Sequence, residues 1–388
     1  MPLCTMVVAR SGSDARLRRT GARRSSRSWL GRMATCRRAT SRTQSPSAWL
    51  PYVPRLRADV AFLTFAEQYE TYFARPGRTT VDGPVGGSAA WTADDLWSRR
   101  GWRFDVDPAD LGRFEAELDR LTAEVADPRA LTREQVDIGA LADRVREWRT
   151  ELQSGSGIVL VRGWPVPEWG LARTELATWC LGLHLGVPGA QNSRGDLLGH
   201  VRDAAHGASS NARLYQTNAD IGFHCDYADA VGLMCVRQAP VGGESRVASS
   251  TAIHDEMVRI APSLAARLYQ PVWLDTRDES AAPGIAVTPF AFDGTLLRTF
   301  YHSDYFRSVA RHGGIHVPDR PLIDALDLFD ELAATDRFCV RMRLEAGDFQ
   351  LVSNHGVVHA RTTFVDDPVA PRHLLRLWLS FDAPGMGN

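Results

Sequence analysis

The stretch Tyr215-Gln-Thr-Asn-Ala-Asp-Ile-Gly-Phe-His224-Cys-Asp226 sets an imidazole and a carboxylate two residues apart. On a strand, residues i and i+2 project from one face, so both side chains can reach a single ion. With one distant histidine they would complete a 2-His-1-carboxylate facial triad, a donor set that binds Fe(II) and leaves the opposite coordination positions open. Histidines for that third position occur near the C-terminus, where Asp348-Phe-Gln-Leu-Val-Ser-Asn-His355-Gly-Val-Val-His359-Ala-Arg361-Thr offers two, four residues apart. Next comes Arg372-His-Leu-Leu-Arg376-Leu-Trp-Leu-Ser, an apolar strand carrying two arginines. Positions i and i+4 of a strand share a face. An arginine turned toward a core needs an anion, because an unpaired buried charge is costly. A dicarboxylate co-substrate meets that need, since guanidinium pairs with carboxylate bidentately.

The elements that must position these residues follow from periodicity. Asp107-Pro108 reads as an N-cap and first-turn proline, followed by Leu111, Phe114, Leu118, Leu121 and Val125 on one helical face. Thr132-x-x-Gln135 reads as a capping box opening a second helix with Leu141, Val145, Trp148 and Leu152. A third helix is expected from about 169 to 185, and Gly157-Ile-Val-Leu-Val-Arg-Gly163 reads as a buried strand. From residue 197 the period shifts to strands: 197–201, 214–217, 231–238 and 244–249, with Gly242-Gly243 as a turn. Helical patterns return at 252–269 and 320–334, and the remainder, including 338–345, 349–353 and 373–381, reads as strand. Helices first and many strands afterwards predict an α+β fold centred on a β-sandwich or jelly roll.

Of 388 residues, 44% are hydrophobic, enough to bury a large core. The formal charge of −1 argues against bulk attraction to nucleic acid or an anionic membrane. No lysine occurs, so every basic side chain except histidine is arginine. Six scattered cysteines without a CxxC pair read as reduced thiols of a cytoplasmic protein. No apolar run is long enough for a membrane span. Residues 1–50 hold eleven arginines and one acid, a composition of disordered extensions that also occurs in transit peptides and nucleic-acid-binding arms. With the Gly/Pro-rich stretch at 81–88 read as a linker, residues 1–81 form an extension and 82–388 the folded domain, beginning near Ala89.

The ordered set of segments resembles the taurine dioxygenase-like (TauD/TfdA) branch of the Fe(II)/2-oxoglutarate-dependent oxygenases, which also includes clavaminate synthase-like enzymes. The resemblance spans roughly 157–381. Besides the metal motif it includes Gln191-Asn192, Leu198-Gly-His-Val-Arg-Asp203, Gly242-Gly-Glu-Ser245, Asn354…His359-Ala-Arg361-Thr and Arg372-His-Leu-Leu-Arg376. It implies a double-stranded β-helix (a distorted jelly roll) with flanking helices. It further implies His224, Asp226 and His359 as ligands of Fe(II), and Arg372, thirteen positions after His359, as the anchor of 2-oxoglutarate. Ser245 falls where relatives hydrogen-bond the co-substrate, and Arg376 steadies either that molecule or an acidic group of the substrate.

The implied reaction consumes 2-oxoglutarate and O2, releases succinate and CO2, and hydroxylates a C–H bond of a small-molecule substrate, polar and derived from an amino acid or a natural-product pathway. Desaturation or oxidative rearrangement is the alternative chemistry, and a non-catalytic β-sandwich binding module the alternative class. Gln216 and Asn218, just before the metal strand, are expected to line the substrate pocket. His355 is expected to be structural, Arg361 to make a structural ion pair, and Cys225 to pack away from the metal. His302 and the remaining histidines carry no expected role. Partners are expected to be the small-molecule substrate alone, with no nucleic acid and no membrane, and the sequence allows a homo-oligomer.

Overall fold

A computed structural model describes residues 62–74, 79–203, 217–277, 282–313 and 317–381. Two sheets dominate. The larger has seven strands, ordered Arg103–Asp105, Ile158–Arg162, Phe349–Ser353, Ala230–Arg237, His373–Ser380 and Val187–Gly189, with Leu198–Val201 also on His373–Ser380. The smaller has four, ordered Cys339–Met342, Ser245–Ser249, Val357–Arg361 and Ile221–His224. The architecture is mixed α/β with a sheet-rich core.

Alternation along the strands explains the layering. Val159, Val161, Leu375, Leu377 and Leu379 pack with residues of the helices Pro108–Glu124, Leu141–Ser154 and Val166–Leu185. Their neighbours Ile158, Leu160, Leu374 and Trp378 instead meet Val247, Val340 and Val357 of the smaller sheet. Val358 and Ala360, on that sheet's other face, pack with the helices Ser250–Ile260 and Arg320–Ala334. Each fully buried aliphatic side chain contributes about 1.5–3 kcal/mol of transfer free energy. The period of two therefore aims even-numbered Arg372 and Arg376 into the space between the sheets, along with odd-numbered His359 and Arg361 from the facing sheet.

Several expectations are corrected. The folded region starts before Ala89. Thr64-x-x-Glu67 forms a capping box opening the helix Phe65–Phe73, which buries Gln68, Thr71 and Tyr72. Gln68 Nε2 donates to the carbonyl of Tyr227 (2.9 Å) and to Ser380 Oγ (3.1 Å), docking that helix on the large sheet. The Gly/Pro-rich stretch is no loose linker, since the Val85 and Gly86 amides donate to the Asp255 carboxylate. The Thr132 box opens only a 3-10 turn, Arg133–Gln135, because Gly139 at φ 56° breaks the path before the helix begins at Leu141. The third helix starts earlier, at Val166, and is kinked at Gly170. The pattern at 252–269 divides at Ala261-Pro262 into Ser250–Ile260 and Pro262–Arg267, where proline supplies no amide to continue the first helix. Ser303–Ser308 is helix where strand was expected. Of the strand expected at 214–217, residues 214–216 lie outside the described residues, and Thr217 is not in a strand.

Candidate active site

His224 ends its strand directly opposite His359, with ring centroids 4.3 Å apart. Past the strand end, the Cys225 amide donates to the Tyr301 carbonyl (2.7 Å) and the Asp226 amide to Asn354 Oδ1 (3.1 Å). This turns the Asp226 carboxylate toward both imidazoles. One potential ligand atom from each of His224, Asp226 and His359 lies within 4.8 Å of the others. His224 Nδ1 donates to the Gly222 carbonyl (2.9 Å), which leaves Nε2 with its lone pair available. Asp226 Oδ2 and His359 Nδ1 are buried without a hydrogen-bond partner among the described residues. Orphaned buried acceptors beside a second imidazole suit a divalent cation.

The electrostatics keep these groups in ligand form. Burial would raise the Asp226 carboxyl, but the Arg376 guanidinium at 3.7 Å and the two imidazoles outweigh it and bring it to about 2. Burial, reinforced by His224, pushes His359 down to about 3, so its imidazole stays neutral.

Two cavities meet at His224 and Asp226, and His359 lines only the first of them. The first is lined by Ser245, His359, Arg361, Arg372, Leu374 and Arg376. Arg372 donates through Nε to Gln238 Oε1 (3.0 Å), while its Nη1 is buried without a partner. The Arg361 Nη2 donates to the carbonyls of Thr217 (2.9 Å) and Ala219, and its Nε and Nη1 have no partner. Both guanidinium groups pack on the Phe364 ring, and burial pushes each down to about 10, with Arg372 adding to the effect on Arg361. Gly243, at φ 70°, gives Arg372 its room, because a Cβ there would sit 3.0 Å from Nε. Two buried cations with unused donors suit a small dianion. Arg376 is placed by Gln191, whose Oε1 accepts from Nε (2.7 Å) and whose Nε2 donates to the Arg376 carbonyl (2.7 Å). Ser245 Oγ donates to Gln350 Oε1 (2.8 Å) at the cavity wall.

The second cavity, about 270 Å3, is rich in aromatic side chains, with Phe65, Tyr69, His302, Tyr305, Trp378 and Arg277 in its wall. His302 forms an isolated antiparallel bridge with His224. Its ring stacks on Tyr305 at 3.6 Å, and burial, with His224 next, holds its pKa well below the usual value.

The profile of the taurine catabolism dioxygenase TauD, TfdA family matches residues 120–378. The chain belongs to this family. As a TauD/TfdA dioxygenase it is an oxidoreductase whose cofactors are Fe(II), 2-oxoglutarate and O2. It is similar to FR-33289 synthase of Streptomyces rubellomurinus, 30% identical over 309 residues that cover 77% of this chain and 91% of the relative. A taurine hydroxylase-like protein of Stachybotrys chartarum is 22% identical, covering 76% and 79%. An asparagine oxygenase solved with Fe(II), hydroxyasparagine and succinate shares the fold, at TM-score 0.59 and 18% identity over 72% of this chain and 93% of that one. The non-heme iron oxygenase OrfP, solved with iron and α-ketoglutaric acid, gives 0.55 at 15% identity over 72% and 94%.

Within this TauD/TfdA chain, six of the eight residues singled out from sequence come together: His224, Asp226, His359, Ser245, Arg372 and Arg376. Asn218 is a correction. It is exposed, its carbonyl accepts from the Phe364 amide and Thr363 Oγ1, and it lines neither cavity. Gln216 lies outside the described residues. Arg361 makes no ion pair among the described residues and uses backbone carbonyls instead, because strand pairing brings its guanidinium under the 217–219 backbone. His355 Nε2 donates to Asp229 Oδ1 (2.8 Å), and its ring stacks on Tyr72, away from the triad's ligand atoms. Cys225 is fully buried. Sequence reading missed Phe65, Tyr69, Arg277, His302 and Tyr305. The Thr64-x-x-Glu67 box was an available signal for the first two; nothing local marks the others.

Proposed function

We propose that His224, Asp226 and His359 hold the Fe(II) of a 2-oxoglutarate-dependent hydroxylase, with Arg372 anchoring the far carboxylate of 2-oxoglutarate and the aromatic cavity receiving the substrate. The observation that carries this reading is the position of the triad: all three residues line a cavity with unused guanidinium donors, and His224 and Asp226 also line one with aromatic side chains. Iron(II) and 2-oxoglutarate, when bound, supply the oxidation, in which O2 converts 2-oxoglutarate to succinate and CO2 and delivers one oxygen atom to a substrate C–H bond.

The protein's own groups do the rest. The Gly222 carbonyl fixes the His224 ring, and Arg376 keeps Asp226 ionised. Arg372, steadied by Gln238 and given room by Gly243, keeps its Nη1 donor for a carboxylate, with Arg361 reinforcing the positive field. Ser245 offers a hydroxyl at the same wall. Tyr69, Tyr305 and Trp378 exclude water from the substrate side. The two sheets packed face to face support a double-stranded β-helix as the finer description of the fold. The described cysteines, all free and buried, fit a reducing, cytoplasmic setting. A substrate of amino-acid or natural-product origin fits the similarity to FR-33289 synthase and the small cavity.

The test is iron content and succinate release. Asp226→Ala and His359→Ala should each lose bound iron after desalting and lose 2-oxoglutarate-dependent succinate formation, whereas His355→Ala should keep its iron. Iron retained at wild-type stoichiometry by both triad variants would refute the ligand assignment.

A further inference from the structure

We propose that Arg277 receives an acidic group of the primary substrate, so that the enzyme acts on a small anion bearing a carboxylate, phosphonate or sulfonate head; this rests on the aromatic cavity being the substrate cavity. Arg277 follows the strand Val272–Asp275 and lies in the wall of that cavity. Its φ is 52°, and it is the one non-glycine residue at positive φ among the described residues. A Cβ-bearing side chain is strained there, and such strain persists where the surroundings hold it and function uses it. The holding is visible. The Arg277 amide donates to Asp275 Oδ1 (2.9 Å), and Thr276 Oγ1 donates to the Ala282 carbonyl.

The guanidinium keeps only a loose ion pair with Asp275 and an unused Nε donor. Asp275, the nearest acid, already accepts from Ser308 Oγ (2.8 Å), Arg311 Nε and Nη2 (2.8 and 3.2 Å) and His312 Nε2 (3.1 Å), besides the Arg277 amide. A carboxylate has about four lone-pair sites, so these donors saturate it. The Arg277 Nε stands 3.7 Å from Oδ2, outside hydrogen-bond range, and is buried without a partner. The group packs over Tyr305 at 4.8 Å, and Tyr305 stacks on His302, whose ring lies 5.2 Å from His224. Arg376, the other arginine of this wall, is engaged by Asp226 and Gln191. Glu70 also lines the cavity and makes no ion pair with Arg277 among the described residues. A half-buried guanidinium with an unused donor, beside aromatic rings and next to the triad, is complementary to an acid head group whose carbon chain lies against those rings.

The experiment uses the full chain, loaded anaerobically with Fe(II) and saturating 2-oxoglutarate so that the arginine-lined cavity is filled. Calorimetric titrations then compare hexanoate, pentylphosphonate and pentanesulfonate with uncharged hexanamide. At least one acid should bind tenfold or more tightly than the amide, and which acid does so identifies the head group. Arg277→Asn, whose side chain tolerates the left-handed backbone, should remove that preference while the melting temperature holds or rises. Arg277→Lys should keep part of it. An acid preference that survives in Arg277→Asn, or its absence in the wild type, overturns the proposal. Failure of the underlying reading looks different: a chain that never binds 2-oxoglutarate, whether or not it binds the acids through Arg277.

Discussion

The arginine-lined cavity and the aromatic cavity meet at His224 and Asp226, yet they are built from different material. The first is walled by the strands Ser245–Ser249, Val357–Arg361 and His373–Ser380, whose hydrogen-bond ladders fix every side chain's direction. Its charges are braced by glutamine side chains and a glycine turn. The second draws its wall from the helix Phe65–Phe73, the turn at Thr276-Arg277 and the start of the helix Ser303–Ser308. Its residues are mostly apolar or neutral, and they are held by side-chain stacking and a few hydrogen bonds. A wall of strands suits an invariant job, gripping the same dianion in every turnover. A wall of helix and turns can be re-cut for another substrate without disturbing the metal.

That contrast can be attacked from either side. The largest selective effect should come from Arg372→Gln, which strips a buried anion of its partner. Losses of this kind cost about 2–5 kcal/mol, so 2-oxoglutarate affinity should fall about 30-fold to several thousandfold, as read by titration. Binding of ligands in the aromatic cavity should change little, and an equal loss in both cavities would dissolve the distinction drawn here. Gly189→Ala should act on the other side. A methyl there would run into Gln68 Oε1, which is fully buried where the first helix docks. Crowding of this kind costs about 1–3 kcal/mol, so urea unfolding should shift to lower midpoint and substrate KM should rise while the 2-oxoglutarate requirement stays. Unchanged stability would show that the helix docks by other contacts. The smallest effect is expected from His302→Phe, which keeps the stack on Tyr305 and deletes the polar edge. His302 Nδ1 is buried without a partner among the described residues, so the hydrogen bond lost would be one to substrate, worth about 1 kcal/mol, and substrate KM should rise about fivefold. A change in 2-oxoglutarate KM of the same size would mean that His302 acts through the metal.

The same contrast decides what could be read in advance. His224, Asp226, His359, Ser245, Arg372 and Arg376 lie on strands or within two residues of a strand end, so alternation says which side they face, and the spacing carries the chemistry. Strands at 349–353 and 373–380 and the helix Arg320–Ala334 follow from the apolar pattern almost residue for residue. Asn218 fails for the complementary reason: nearness in sequence to the metal strand says nothing about direction once the chain has left the ladder. Arg277 carries no local mark at all. Its φ of 52° and the saturation of Asp275 by Ser308, Arg311 and His312 exist only in the folded chain.

By itself the amino-acid sequence marked the candidate donor set, the candidate arginine for the co-substrate and the helix-then-strand order, because each is a matter of residue type and period over a few positions. Tertiary structure alone decided the aromatic cavity: that the helix at 65–73 helps to wall it beside His224 and Asp226, that His302 pairs with His224, and that Arg277 Nε is left there without a hydrogen-bond partner among the described residues. Those facts depend on which distant segments exclude water together, a property of the packed core that no short stretch of chain carries.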